Sequence, residues 1–66
     1  MQIRINGEAK TIADGLTVAE LLVELSLEPT RVAVERNKQL VRRTTFEFVA
    51  LAEGDELEIV TLVGGG

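Results

Sequence analysis

Apolar and polar side chains alternate through the first six residues, with Met1, Ile3 and Ile5 set against Gln2, Arg4 and Asn6. That period of two marks a strand with one buried face. Asn6-Gly7 follows at once. Both residues tolerate the positive φ of a type I′ turn, so Glu8 to Ile12 is predicted to return antiparallel, and Asp14-Gly15 closes the hairpin region. From Thr17 the period lengthens: Val18, Leu21, Leu22 and Leu25 stand at helical spacing and predict a helix whose single apolar face must meet a sheet. Thr17 with Glu20 fits a capping box, and Leu16 with Leu21 fits the accompanying hydrophobic staple. Pro29 pushes Glu28 out of helical geometry, which places the helix end near Ser26 or Leu27.

A short apolar run, Val32-Ala33-Val34, lies within Arg31 to Glu35; Arg36-Asn37-Lys38 interrupts it and Gln39 to Val41 resumes, predicting a second, shorter strand pair. Thr44 and Thr45 can each start a turn of helix, with Glu47 three residues after Thr44 and with Phe46, Val49 and Ala50 spaced to face inward. Glu53-Gly54-Asp55 reads as a turn into a last strand, Glu56 to Val63. Its Leu57, Ile59, Thr61 and Val63 take one face, and Glu58, Val60 and Leu62 the other. Both faces become apolar toward the C-terminus, which places this strand in the middle of the sheet. The economical arrangement lays the helix across one sheet face, sets the first and last strands side by side and parallel, and leaves the other face bare. The expected class is α+β: a mixed sheet of four to five strands, one main helix on one face and a short helical turn.

Composition narrows the chemistry. Sixty-six residues give a single core, and with only Phe46 and Phe48 as aromatics that core must be built from Val, Leu and Ile. Seven Lys and Arg against eleven Asp and Glu give a net charge of −4, which disfavours nucleic acid and anionic membranes and favours a basic partner. Cysteine and histidine are both absent, removing thiolate nucleophiles, disulfides, the usual zinc ligands and the side chain most used for proton transfer near neutral pH. With no charged leader and no apolar run of about 18 residues, the expectation is a soluble, cytoplasmic protein. Reactive groups then reduce to carboxylates, amines, hydroxyls and the chain end.

That end is Gly64-Gly65-Gly66, directly behind the last strand. Glycines have nothing to pack and lose the most entropy on ordering, so residues 64–66 are expected to form a flexible tail on a domain of residues 1–63. Together with the Asn6-Gly7 hairpin and the element order, this ending resembles the ubiquitin-like β-grasp sulfur carriers, and the ThiS family most closely. The carrying segments are Thr17-Val18-Ala19-Glu20-Leu21-Leu22, Val32-Ala33-Val34-Glu35-Arg36-Asn37 and Glu53-Gly54-Asp55-Glu56-Leu57-Glu58-Ile59-Val60. Two places depart from the family pattern: Lys38, where many members have Gly after the turn Asn, and Val41-Arg42-Arg43, where many have Val-Pro-Arg.

The resemblance implies that Gly66 is adenylated by a separate ATP-dependent, E1-like enzyme and converted to a thiocarboxylate by a sulfur donor such as a cysteine desulfurase. Gly64 and Gly65 would thread into the partner's active site, where any Cβ would add width. The thiocarboxylate would then supply sulfur to thiazole synthase in thiamine biosynthesis. It also implies that the chain is a co-substrate and not an enzyme, that it binds no cofactor or metal of its own, and that ATP is used by the activating partner. Strand parity puts a docking surface on the bare sheet face near the tail, including Val60 and Leu62. Glu53, Asp55, Glu56 and Glu58 resemble a carboxylate cluster, but alternation sends Glu56 and Glu58 one way and Asp55 the other, so they read as an acidic docking rim and not a metal site. Arg42-Arg43 reads as a solvated pair. Three other functions remain open at this point: the small subunit of molybdopterin synthase, a ubiquitin-like protein modifier joined through Gly66 to a lysine, and a plain binding module with an idle tail.

Overall fold

The computed structural model describes residues 1–62. Strands β1 (Gln2–Ile5) and β2 (Glu8–Thr11) form the first hairpin, and helix α1 (Val18–Glu24) follows. Strands β3 (Val32–Arg36) and β4 (Gln39–Val41) form the second hairpin, and β5 (Glu56–Thr61) closes the sheet. Among the described residues the sheet has five strands in the order β2-β1-β5-β3-β4. β5 is thus the central strand, parallel to β1 with Arg4 opposite Glu56, and antiparallel to β3 with Val34 opposite Ile59. The expected pairing of first and last strands is present.

The Asn6-Gly7 turn has φ of 50° and 85°, as a two-residue type I′ hairpin requires. At the helix start the whole capping box forms: Thr17 Oγ1 accepts from the Glu20 N–H at 3.2 Å, and Glu20 Oε1 accepts from the Thr17 N–H at 2.9 Å. The two N–H groups the box leaves free donate instead to backbone, Val18 to the Val49 carbonyl and Ala19 to the Phe46 carbonyl, both at 3.0 Å. Segment 46–50 is thereby laid across the helix start, and Phe46 is carried into the core.

Proline does not end the helix. Ser26 takes φ 59°, its N–H donates to the Val23 carbonyl, and the Leu27 N–H donates to the Leu22 carbonyl. These bonds form a Schellman motif, which closes the helix before Pro29 is reached. Pro29 instead opens a 3₁₀ turn, Pro29–Arg31, that sequence reasoning missed; its fixed φ suits the first position of a helical turn. The second short turn, Arg43–Thr45, starts one residue earlier than expected and has no Thr44 capping box. Thr45 Oγ1 donates back to the Arg42 carbonyl at 2.7 Å. Phe46 is buried and Val49 half-buried as expected, but Ala50, in an isolated bridge opposite Thr17, is exposed and does not face inward.

One face of the sheet meets the helix. Ile3, Val34, Leu57 and Ile59 from the strands pack with Val18, Leu21 and Leu22 from α1, and Ile12, Val32, Phe46 and Leu51 complete the core. Burying each aliphatic side chain contributes about 1.5–3 kcal/mol, and together they offset the chain entropy of a small domain.

Candidate functional site

The site is built around β5, the strand that leads into the glycine tail. Its alternation divides it cleanly, since Leu57 and Ile59 are buried under the helix while Glu56, Glu58, Val60 and Leu62 face the open side. Val60 is 56% exposed and Leu62 51% exposed. As expected from strand parity, the outer face of this central strand is left bare, and its apolar residues stand in solvent. They are joined there by Leu40, 69% exposed, and by the half-buried Ala33 directly opposite Val60. A shallow groove lined by Ala33, Glu35, Lys38, Leu40, Glu58 and Val60 runs across this face.

Three devices hold β5 in place, and none was foreseen. Beyond the last β1 residue, the Asn6 side chain takes over the ladder: Nδ2 donates to the Ile59 carbonyl at 3.1 Å and Oδ1 accepts from the Ile59 N–H at 2.9 Å. At the strand's start, Asn37 Oδ1 accepts from the Glu56 N–H at 3.0 Å, and the Asn37 N–H donates to the Glu56 carbonyl at 2.7 Å. At its far end the Leu62 N–H donates to the Arg31 carbonyl at 2.8 Å, the last backbone hydrogen bond among the described residues. The sequence signal for the first two is Asn, and not Gly or Asp, at the first position of each hairpin turn.

Asp55 is corrected by the structure. It does not belong to an acidic rim, being 6% exposed and the hub of a polar network. Its carboxylate accepts from Arg36 Nε at 2.8 Å, Asn37 Nδ2 at 3.1 Å and the Ala52 N–H at 2.8 Å. Burial alone would push its pKa up, but the Ala52 N–H, the Asn37 amide and the Arg36 guanidinium outweigh that and hold it below the usual carboxylate value. Glu53, Glu56 and Glu58 remain exposed, and so do Arg42 and Arg43. Among the described residues no three Asp or Glu side chains gather as a metal site, and no helix is long and apolar enough to cross a membrane. The expected tail, Gly64, Gly65 and Gly66, lies outside the described residues together with Val63.

The ThiS family model matches residues 3–66. The chain belongs to the ThiS family. Its relatives include the sulfur carrier protein ThiS of Bacillus subtilis, 38% identical over 65 residues that cover 97% of this chain and 98% of that one. The crystal structure of the thiamine biosynthesis protein ThiS from Geobacter metallireducens superimposes with a TM-score of 0.86 at 33% identity, covering all of both chains. The ubiquitin-like β-grasp architecture expected from the resemblance is therefore the architecture of this ThiS-family chain. A thiazole synthase of Paramagnetospirillum magneticum is 44% identical over 66 residues, which is all of this chain and 20% of that protein. The ThiS-family chain thus spans about a fifth of the length of the thiazole synthases it matches.

Proposed function

We propose that this chain is a sulfur carrier for thiamine biosynthesis and that its working group is the carboxylate of Gly66. The observation that carries this reading is the end-to-end match to sulfur carrier proteins in a chain whose central strand leads directly into Gly64-Gly65-Gly66. A free carboxylate, with a pKa of about 3.3–3.7, is an anion and a poor acyl electrophile near neutral pH, so activation must come first. An E1-like enzyme joins it to the α-phosphate of ATP, releasing pyrophosphate and leaving an acyl adenylate. A sulfur donor, such as the persulfide of a cysteine desulfurase, then displaces AMP to give an acyl disulfide, and a second thiol attacks the donor's sulfur in that linkage, forming a disulfide with the donor and releasing the thiocarboxylate. The chain catalyses none of this. It is a co-substrate that holds no cofactor, and it works in the cytoplasm, where ATP and the activating enzyme meet it.

Thiazole synthase is the proposed recipient. The support is the relative in which a region similar to the whole chain forms part of a thiazole synthase. The names of the relatives favour this recipient over molybdopterin synthase. Val60 and Leu62 are proposed to seat the partners, since they stand exposed where β5 leads into the tail. At most about 14 Å separates Leu62 from a Gly66 drawn fully out, so an enzyme that holds the terminus works within reach of this sheet face. Deleting Gly65 and Gly66 tests the reading. Intact folding with no ATP-dependent activation supports the carrier, and retained activity supports a binding module with an idle tail.

A further inference from the structure

Across the open sheet face two like charges stand directly opposite one another: Glu35 of β3 faces Glu58 of β5. Residues paired in this way project to the same face with Cβ atoms about 4.5–5.5 Å apart, and like charges there destabilise the sheet. Among the described residues neither carboxylate is in an ion pair, although Arg4 lines a groove with Glu58. Arg36 is spent on Asp55, and Arg31 pairs with Glu28. Lys38 lines the same groove without pairing to them. Leu40 faces Glu35 from the other side, and the next rung along is Ala33 with Val60, so the two carboxylates border an exposed apolar strip.

Resting on the carrier reading above, we propose that this face seats an arginine of the enzyme that activates Gly66, its guanidinium bridging Glu35 and Glu58 and its stem lying on Ala33, Leu40 and Val60. A guanidinium has the planar fork to bond two carboxylates at once, and its weak hydration suits a half-apolar seat. The complementarity is also of field, because a chain of net charge −4 steers toward a basic surface. The activating enzyme is taken as the occupant because it acts on Gly66 first, and the charged seat lies on the strand that leads to that terminus; thiazole synthase is the competing outcome of the test.

The test compares Glu35→Gln, Glu58→Gln and the double variant with Glu24→Gln, which removes the same charge from the exposed side of α1. Thermal stability is read alongside Kd for the activating enzyme at low and high salt. Each sheet variant should melt about 2–4 °C higher, because a repulsion is gone. It should also bind about fivefold more weakly, with a shallower salt dependence. The double variant should lose less than the product of the singles, since one arginine serves both carboxylates. A higher Tm with a Kd no different from that of Glu24→Gln overturns the proposal, as does weakened binding to thiazole synthase alone. Failure of the unaltered protein to engage the activating enzyme overturns the carrier reading as well, so the two failures are distinguishable.

Discussion

The side-chain amide of Asn6 forms two hydrogen bonds with the backbone of Ile59, fifty-three residues away in sequence, and so continues the β1/β5 ladder past the point where β1 turns. One residue thus serves both the first hairpin, with its φ of 50°, and the strand that leads to the tail. Asn6→Ala should remove both bonds, leave two half-buried backbone groups without partners and put an alanine at a positive φ that asparagine tolerates better. The expected cost is about 2–4 kcal/mol, read as a fall in Tm of about 10–20 °C. Asn6→Gly keeps the turn and isolates the loss of the bonds, so it should fall by less.

Asp55 should govern the acid limb of stability. Its folded pKa lies below the ordinary value of 3.8, so its contribution is present above that value and is lost as pH falls through the folded value. Denaturant unfolding measured from pH 7 down to pH 2 should show this loss beginning near pH 4. Asp55→Asn should be less stable by about 2 kcal/mol at neutral pH, since the Arg36 guanidinium loses its carboxylate, and its stability should depend less on pH in the acid range.

Lys38 carries φ 71° in the second hairpin turn, where it follows Asn37 at φ 51°. A side chain in the left-handed region costs about 1–2 kcal/mol, part of which glycine returns as extra chain entropy in the unfolded state. Lys38→Gly should therefore stabilise the domain by about 0.5–1 kcal/mol, seen as a rise in Tm of about 2–8 °C. A fall would mean that the lysine side chain contributes more to the fold than its backbone conformation costs.

Much of this fold was legible because local signals and long-range needs coincide. Thr17 and Glu20 announce a helix start in four residues, and the alternation of Leu57 and Ile59 against Glu58 and Val60 names the buried face of β5 before any partner strand is known. What stayed hidden depends on residues distant in sequence. Asn6 reads as a turn residue until Ile59 is placed beside it, and Asp55 reads as one of several acids until Arg36 and Asn37 close over it. Ser26 concealed the helix end for a different reason: a serine at positive φ has no sequence mark, whereas Pro29 has a strong one that drew the boundary argument to itself. The site divides in the same way. Exposure of Val60 and Leu62 follows from parity alone, but the opposition of Glu35 and Glu58 needs the register of β3 on β5.

Val60→Asp and Leu62→Asp should leave folding intact, because both side chains are more than half exposed and the Leu62 hydrogen bond to Arg31 is made by backbone. Each should instead weaken docking by about tenfold, as an apolar contact is replaced by a charge that must be desolvated. Unchanged binding to the activating enzyme, measured by calorimetry with the circular dichroism spectrum preserved, would remove these two residues from the interface.

The most direct test of the carrier account is the intact mass of the protein isolated from cells making thiamine, with fragmentation to assign any change to a residue. The account predicts a fraction of chains heavier by one sulfur-for-oxygen exchange, located at Gly66 and absent when the activating enzyme is deleted. A terminus that carries only oxygen under those conditions, or a sulfur that maps elsewhere in the chain, contradicts it.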